Sequence, residues 1–198
     1  MKIDDAQPVW ENALSDEQEL LHRARQLEPA ALAEVFDAYY APLYRYIYHH
    51  LHHRAAAEDL CGEVFTRMLA HLSSGRGPRR HLRAWLYRVA HNLIVDQSRR
   101  SVHRDHEPLS ERLCAAAPGV EEQTETTIRQ RRAIEALDAL TEKQRNVIIL
   151  RFLEGLETQE IARVLRTTTG AVKALQHRGL EAMRRHLVQA DTDAEGGE

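Results

Sequence analysis

Residues 82–100 read LRAWLYRVAHNLIVDQSRR. Leu82, Leu86, Val89, Ala90 and Leu93 recur at the spacing of one amphipathic helix, with Trp85 on the edge of that stripe. The opposite face carries Arg83, Tyr87, Arg88, His91, Asn92 and Arg99. A helix that buries one side and offers arginines beside aromatic and amide groups on the other suits nucleic acid better than a membrane or a metal. An ordinary solvated surface helix can carry the same pattern, so its flanks have to discriminate.

Just before this helix, Ser73–Arg80 (SSGRGPRR) is a loop by composition. Its glycines let backbone approach a ligand, and Arg76, Arg79 and Arg80 can grip phosphates or stack on bases. Loop plus helix therefore predicts a site for single-stranded nucleic acid.

Three helices are expected upstream. The first starts near Ser15 or Asp16, where Ser15 and Gln18 resemble a capping box, after a loosely ordered segment over 1–15. The second, Ala30–His53, places Leu32, Val35, Phe36, Tyr39, Leu43, Tyr46 and Ile47 on one side, and Pro42 should kink or divide it. The third, Ala55–Leu72, buries Leu60, Val64, Met68 and Leu72 with Phe65 and Leu69 alongside. Glu58, Asp59 and Glu63 gather on another face, as solvated charge or as a docking strip for a basic partner helix. His49, His50, His52 and His53 invite a metal reading, but a site needs a third ligand, and the nearest carboxylates, Glu58 and Asp59, lie beyond an expected turn. A solvated, histidine-rich helix end is the better account.

Downstream, residues 105–127 hold Pro108, Pro118, Gly119 and several glutamates without sustained periodicity, which predicts a linker. A second helical domain is expected over 128–188, followed by a short acidic tail over 189–198. Thr141 and Gln144 form a capping box for a helix over Glu142–Leu153, and Gly155 supplies a left-handed stop. A short helix to about Leu165, a turn Arg166–Thr168 and a helix from Thr169 match a helix-turn-helix. The last helix should place Val172, Leu175, Gly179, Leu180, Met183 and Leu187 inward. It should expose Thr169, Gly170, Lys173, Ala174, His177, Arg178 and Glu181, with small residues allowing close approach to DNA. A helical hairpin without a DNA role is the alternative for this segment.

The net charge of −3 excludes a uniformly basic polyanion binder, but basic residues concentrate at 76–104 and 173–185 between acidic connectors. That distribution fits contact with a polyanion at two places. Two distant cysteines, Cys61 and Cys114, form no CxxC pattern, and no apolar run reaches membrane-spanning length; a reduced, cytoplasmic setting is expected. No nucleotide-binding loop or catalytic triad appears, so neither an enzyme nor a cofactor is expected.

AEDLCGEVF (57–65), RAWLYRVAHNLIVDQSRR (83–100), ALTEKQRNVIILRFLEGLETQEIARVL (139–165) and GAVKALQHR (170–178) occur in that order. Together they resemble the extracytoplasmic-function, group IV sigma factors of bacterial RNA polymerase, over about residues 17–188. The resemblance implies an all-α chain with a sigma-2 domain over 16–104, a flexible linker and a sigma-4 helix-turn-helix domain over 128–188. Asp59, Leu60, Glu63 and Phe65 would bind the polymerase β′ clamp helices, and sigma-4 the β flap. Arg76, Arg79, Arg80, Arg83, Trp85, Arg88, His91, Asn92, Arg99 and Arg100 would hold the melted minus-ten strand. Arg166, Thr168, Thr169, Gly170, Lys173, Ala174, His177 and Arg178 would read the minus-thirty-five duplex. Core polymerase, promoter DNA and an anti-sigma protein are the partners implied, with nucleoid association in the holoenzyme. Gly62 departs from a frequent glutamine, Arg166 from a frequent glycine and Ala171 from a common threonine. Leu175 and Gln176 exchange the usual apolar and polar characters. A stand-alone helix-turn-helix regulator using only 128–188 is the competing reading; it leaves the Trp85 helix and the Asp59 strip unexplained.

Overall fold

The computed structural model describes the backbone of residues 9–104 and 125–195, and side chains over 16–99 and 132–189. The expected linker lies mostly outside these residues. The chain divides into two compact units, Met1–His106 and Glu107–Glu198. Among the described residues every regular element is helical, in agreement with the all-α expectation.

Unit 1 holds α1 (Val9–Arg25), α2 (Pro29–Leu51), α3 (Arg54–Ser73) and α4 (Leu82–Arg104). Helix α1 starts well before Ser15, which lies inside it and so cannot act as an N-cap. The sequence has no proline or glycine between Pro8 and Pro29, so nothing local stops the helix earlier. It ends where Leu27 turns left-handed, at φ 58°. Pro29 opens α2, where a missing N–H costs nothing. Pro42 does not divide α2, which continues as one helix through it. The histidine run makes the α2–α3 corner. His52 is left-handed at φ 50°, and the His53 ring nitrogen Nδ1 accepts the Ala56 N–H at 3.1 Å as the α3 N-cap. His50 Nδ1 donates to the Tyr46 carbonyl at 2.8 Å.

Helix α2 is the centre of this unit and touches α1, α3 and α4. Val35, Leu43, Tyr46 and Ile47 are fully buried with Leu21 and Ala24 of α1, Cys61, Val64 and Met68 of α3, and Leu82, Leu86 and Ala90 of α4. Burial of each large apolar side chain is worth about 1.5–3 kcal/mol relative to exposure. Tyr87, expected on the polar face, belongs to this core: it is buried and meets the Tyr46 ring edge-on at 5.4 Å. Ile94 is also buried, whereas Val89 is only half-buried. Helix α4 packs against both α2 and α3, so its buried arc is wider than one stripe.

Unit 2 holds α5 (Glu125–Asp138), α6 (Glu142–Ile148), a π-helical turn (Ile149–Leu153), α7 (Thr158–Val164) and α8 (Thr169–Glu195). The Thr141 N–H donates to Gln144 Oε1 at 3.2 Å, the reach-back bond of the expected capping box. Arg145 donates to the Leu137 and Asp138 carbonyls at 3.0 and 2.7 Å and so ties α6 to the end of α5. The continuous helix expected to Leu153 instead widens at its end, where the Glu154 N–H reaches Ile149 O at 3.1 Å. Gly155 then takes φ 64°, the predicted left-handed stop. Helix α8 packs on α5, α6 and α7. Its contact with α6 is close: a Cβ at Gly179 would lie 3.0 Å from Ile148 Cγ1. Leu180, expected inward, is 42% exposed because it falls at the margin of the stripe through Val172 and Gly179.

Candidate nucleic-acid interfaces

The α3–α4 connection begins with Gly75 at φ 70°, which lets the Arg76 N–H bond back to His71 O at 2.9 Å. Arg76, Arg79 and Arg80 are exposed, while Gly77 and Pro78 between them are buried. A Cβ on Gly77 would stand 2.6 Å from Leu72 Cδ2. Close approach is therefore needed here, but to the end of α3 rather than to a ligand. His81, at φ 58°, ends the loop.

On α4, at about 100° per residue, Trp85, Arg88, Asn92 and Arg99 fall within an arc of about 60°. Trp85, Arg88 and Asn92 are half-buried and Arg99 is exposed. The His71 ring meets Trp85 edge-on at 5.5 Å, bracing the indole across the mouth of the loop. Two expected members point elsewhere. His91 lies beside the core, with Nδ1 3.2 Å from the Tyr46 hydroxyl, and this contact satisfies a fully buried phenol. Arg83 is about half a turn from the strip, and its backbone N–H is taken by Glu17 Oε1 of α1 at 2.8 Å. The Arg100 side chain lies outside the described residues.

On α3, Asp59 and Glu63 share the exposed face with Gly62 and Thr66, and Glu63 pairs with Arg67 at 2.8 Å. Leu60 is half-buried at its edge. Phe65, grouped with these residues from the sequence, is 6% exposed on the other side of the helix, 4.8 Å from the Phe36 ring. It is buried and faces away from Asp59 and Glu63.

In unit 2 the turn between α7 and α8 runs as expected. The Thr167 N–H bonds to Ala162 O at 3.0 Å, with Arg166 at φ 51°, the position where glycine is favoured. The Thr168 hydroxyl accepts the Ala171 N–H at 3.1 Å and so serves as the α8 N-cap. Thr169, Gly170, Lys173, Ala174, His177 and Arg178 are exposed in succession over the first turns of α8. Arg178 Nε donates to Ala174 O at 3.2 Å, and His177 Nε2 lies 3.5 Å from Glu181. This is the short-helix, tight-turn, long-helix arrangement of a helix-turn-helix.

Among the described residues, no group of three His, Cys, Asp or Glu side chains is arranged to hold a metal ion. None of the described helices is long and apolar enough to cross a membrane.

Sequence reasoning missed Glu17 and Arg25. Arg25 Nη1 donates to the carbonyl oxygens of Gly77 and Pro78 at 3.2 and 3.0 Å. Nothing in their spacing announces contacts 52, 53 and 66 residues away.

The Sigma-70 region 2 family model matches residues 35–104, and the Sigma-70 region 4 model matches residues 136–185. The chain is 33% identical over 171 residues to the ECF RNA polymerase sigma factor BldN of Streptomyces coelicolor, covering 85% of this chain and 65% of BldN. It is 30% identical to the ECF RNA polymerase sigma factor SigX of Bacillus subtilis, covering 77% of this chain and 81% of SigX. The sigma factor RpoE from Bartonella quintana, solved with the anti-sigma factor NepR, shares the fold. Its TM-score is 0.63 at 20% identity, over 78% of this chain and 95% of that one. With both sigma-70 regions in order and 30% identity across most of SigX, the chain belongs to the extracytoplasmic-function sigma factors of RNA polymerase.

Proposed function

We propose that this chain directs core RNA polymerase to a two-part promoter and holds the separated minus-ten strand during initiation. The observation that carries the reading is the Trp85–Arg88–Asn92–Arg99 strip beside the exposed Arg76, Arg79 and Arg80, in a unit distinct from the helix-turn-helix. Aromatic and guanidinium faces can repay the few kcal/mol of unstacking that an extruded base costs. The exposed Asp59–Glu63 face of α3 is the proposed seat of the β′ clamp helices, with Leu60 at its margin. The α8 N-terminal turns, from Thr169 to Arg178, would enter the major groove of the minus-thirty-five duplex, with Lys173 and Arg178 on phosphate or guanine. Arg166 would contact backbone phosphate, and Thr168 would contribute by capping the helix.

Strand opening in this reading draws on binding energy rather than on hydrolysis, so the chain is non-enzymatic. Its affinity for DNA comes largely through polymerase, which suits a net charge of −3. An anti-sigma protein is the expected regulator, by analogy with the NepR partner of the Bartonella quintana protein. A regulator acting through residues 128–188 alone would leave the arginine loop and the α4 strip without a task.

The test combines purified chain with core polymerase on genomic fragments and reads unpaired thymines by permanganate. Promoter-dependent opening is expected. Arg88→Ala and Asn92→Ala should lower opening while sparing polymerase binding; equal loss of both would place the α4 strip on polymerase instead of DNA.

A further inference from the structure

We propose that α1 is a positioning strut for the base-reading loop, with Arg25 clamping the loop backbone and Glu17 fixing the start of the helix that follows. The inference rests on the proposed role of residues 73–80 as a single-strand reader and adds to it the element that sets its geometry. Helix α1 lies ahead of residue 35, where the match to Sigma-70 region 2 begins.

The loop leaves α3 through the bonds of Gly75 and Arg76 to Leu72 and His71. Beyond Arg76 it dips inward at Gly77 and Pro78, between the exposed Arg76 and the exposed Arg79 and Arg80. The dip is held from two sides. Gly77 sits so close to the buried Leu72 that a side chain there would displace it. Arg25 Nη1 bridges the two successive carbonyls of Gly77 and Pro78 from α1. A guanidinium suits this task because it carries its charge at any working pH and offers donors in a rigid plane. At the far end, the Glu17 carboxylate accepts the Arg83 N–H, one of the donors a helix start leaves without an intrahelical partner. A negative charge there also faces the positive end of the α4 dipole.

The three loop arginines are thus displayed around a fixed point, and the Trp85–Arg99 strip begins from a fixed first turn. Selectivity for an extruded base depends on such placement, because an error of about 1 Å is enough to lose oriented contacts. Arg25 and Glu17 act here through the loop and α4, as positioning residues, without touching DNA.

The experiment uses holoenzyme from the full chain and fork-junction DNA whose unpaired non-template strand is randomised, with the retained strands sequenced. Arg25→Met keeps the stem and removes the donors. It should leave core-polymerase affinity within about twofold, flatten the base preference, and lower open-complex yield by about tenfold or more, the order expected when the charge-assisted bonds to both carbonyls are lost. Arg25→Lys restores the charge without the fork and should recover part of the preference; Glu17→Ala should reproduce the loss in milder form. A wild-type base profile in Arg25→Met overturns the proposal, as does a loss of opening that merely parallels a loss of polymerase binding. Should Arg25→Met fail to fold, Glu17→Ala decides, and an unaltered profile there overturns it. The triple variant Arg76→Ala, Arg79→Ala, Arg80→Ala tests the premise separately. If it leaves the profile intact, the loop is not a base reader, whatever α1 does.

Discussion

Replacement of Arg166 by glycine should move folding and DNA binding in opposite directions. Arg166 closes α7 at φ 51°, with the following N–H bonded back to Ala162 O at 3.0 Å. A left-handed conformation costs an L-residue about 1–2 kcal/mol, while glycine there gives back about 0.5–1 kcal/mol in unfolded-chain entropy. The balance favours Arg166→Gly by roughly 0.5–1 kcal/mol, or about 2–8 °C in the midpoint of a domain of this size. Calorimetry of the full chain reads the shift in the second unit's transition. The same change deletes an exposed cation beside the α8 N-terminus, so promoter binding by the holoenzyme should weaken, and its log–log salt slope should become shallower by about one. A lowered midpoint refutes the strain argument. An unchanged salt slope removes Arg166 from the DNA contact set.

Three further outcomes follow from the packing. Tyr46→Phe removes the hydroxyl bonded to His91 inside unit 1 and should cost about 1 kcal/mol in urea unfolding; a cost near zero means the contact contributes nothing net. Gly179→Val drives a branched side chain into Ile148 and should cost about 1–3 kcal/mol, whereas Gly170→Ala, with only Thr168 Oγ1 within reach at 3.9 Å, should be neutral or stabilising by up to about 1 kcal/mol; similar losses at both sites contradict the α6–α8 contact. Burial pushes the Cys61 thiol up to about 11, so the folded state resists forming a thiolate that the unfolded chain forms near the ordinary value of 9.0. The thiol's contribution is complete below about pH 9 and is lost as pH rises towards about 11, so stability should fall across that window and fall less in Cys61→Ala; equal losses in the two proteins refute it.

Local chemistry was legible wherever a few neighbouring residues settle the backbone. The Thr141–Gln144 bond, the left-handed Gly155 and the turn Arg166–Thr168 follow from side chains within a few positions of one another. Period-3.6 reasoning also placed Leu82, Leu86, Ala90 and Leu93 correctly. It failed where one helix meets two others. Tyr87 sits outside a single stripe yet is buried, because α4 is covered by α2 and α3 together. Phe65 shows a related limit: sequence proximity to Asp59 and Glu63 says nothing about which side of α3 it faces, and it is buried there beneath the partly exposed Phe36 ring.

The sequence by itself determined an all-helical chain, the helix-turn-helix and its family, since these depend on periodicity, turn residues and motif order within short windows. Tertiary structure alone decided which residues of the LRAWLYRVAHNLIVDQSRR helix share a face open to a ligand. It kept Trp85, Arg88, Asn92 and Arg99 together and turned His91 towards Tyr46. It also supplied Arg25 and Glu17, whose contacts with the loop and with α4 close chain segments of more than fifty residues. Such pairings are fixed by the packing of α1 onto the unit's core and leave no local periodicity to read.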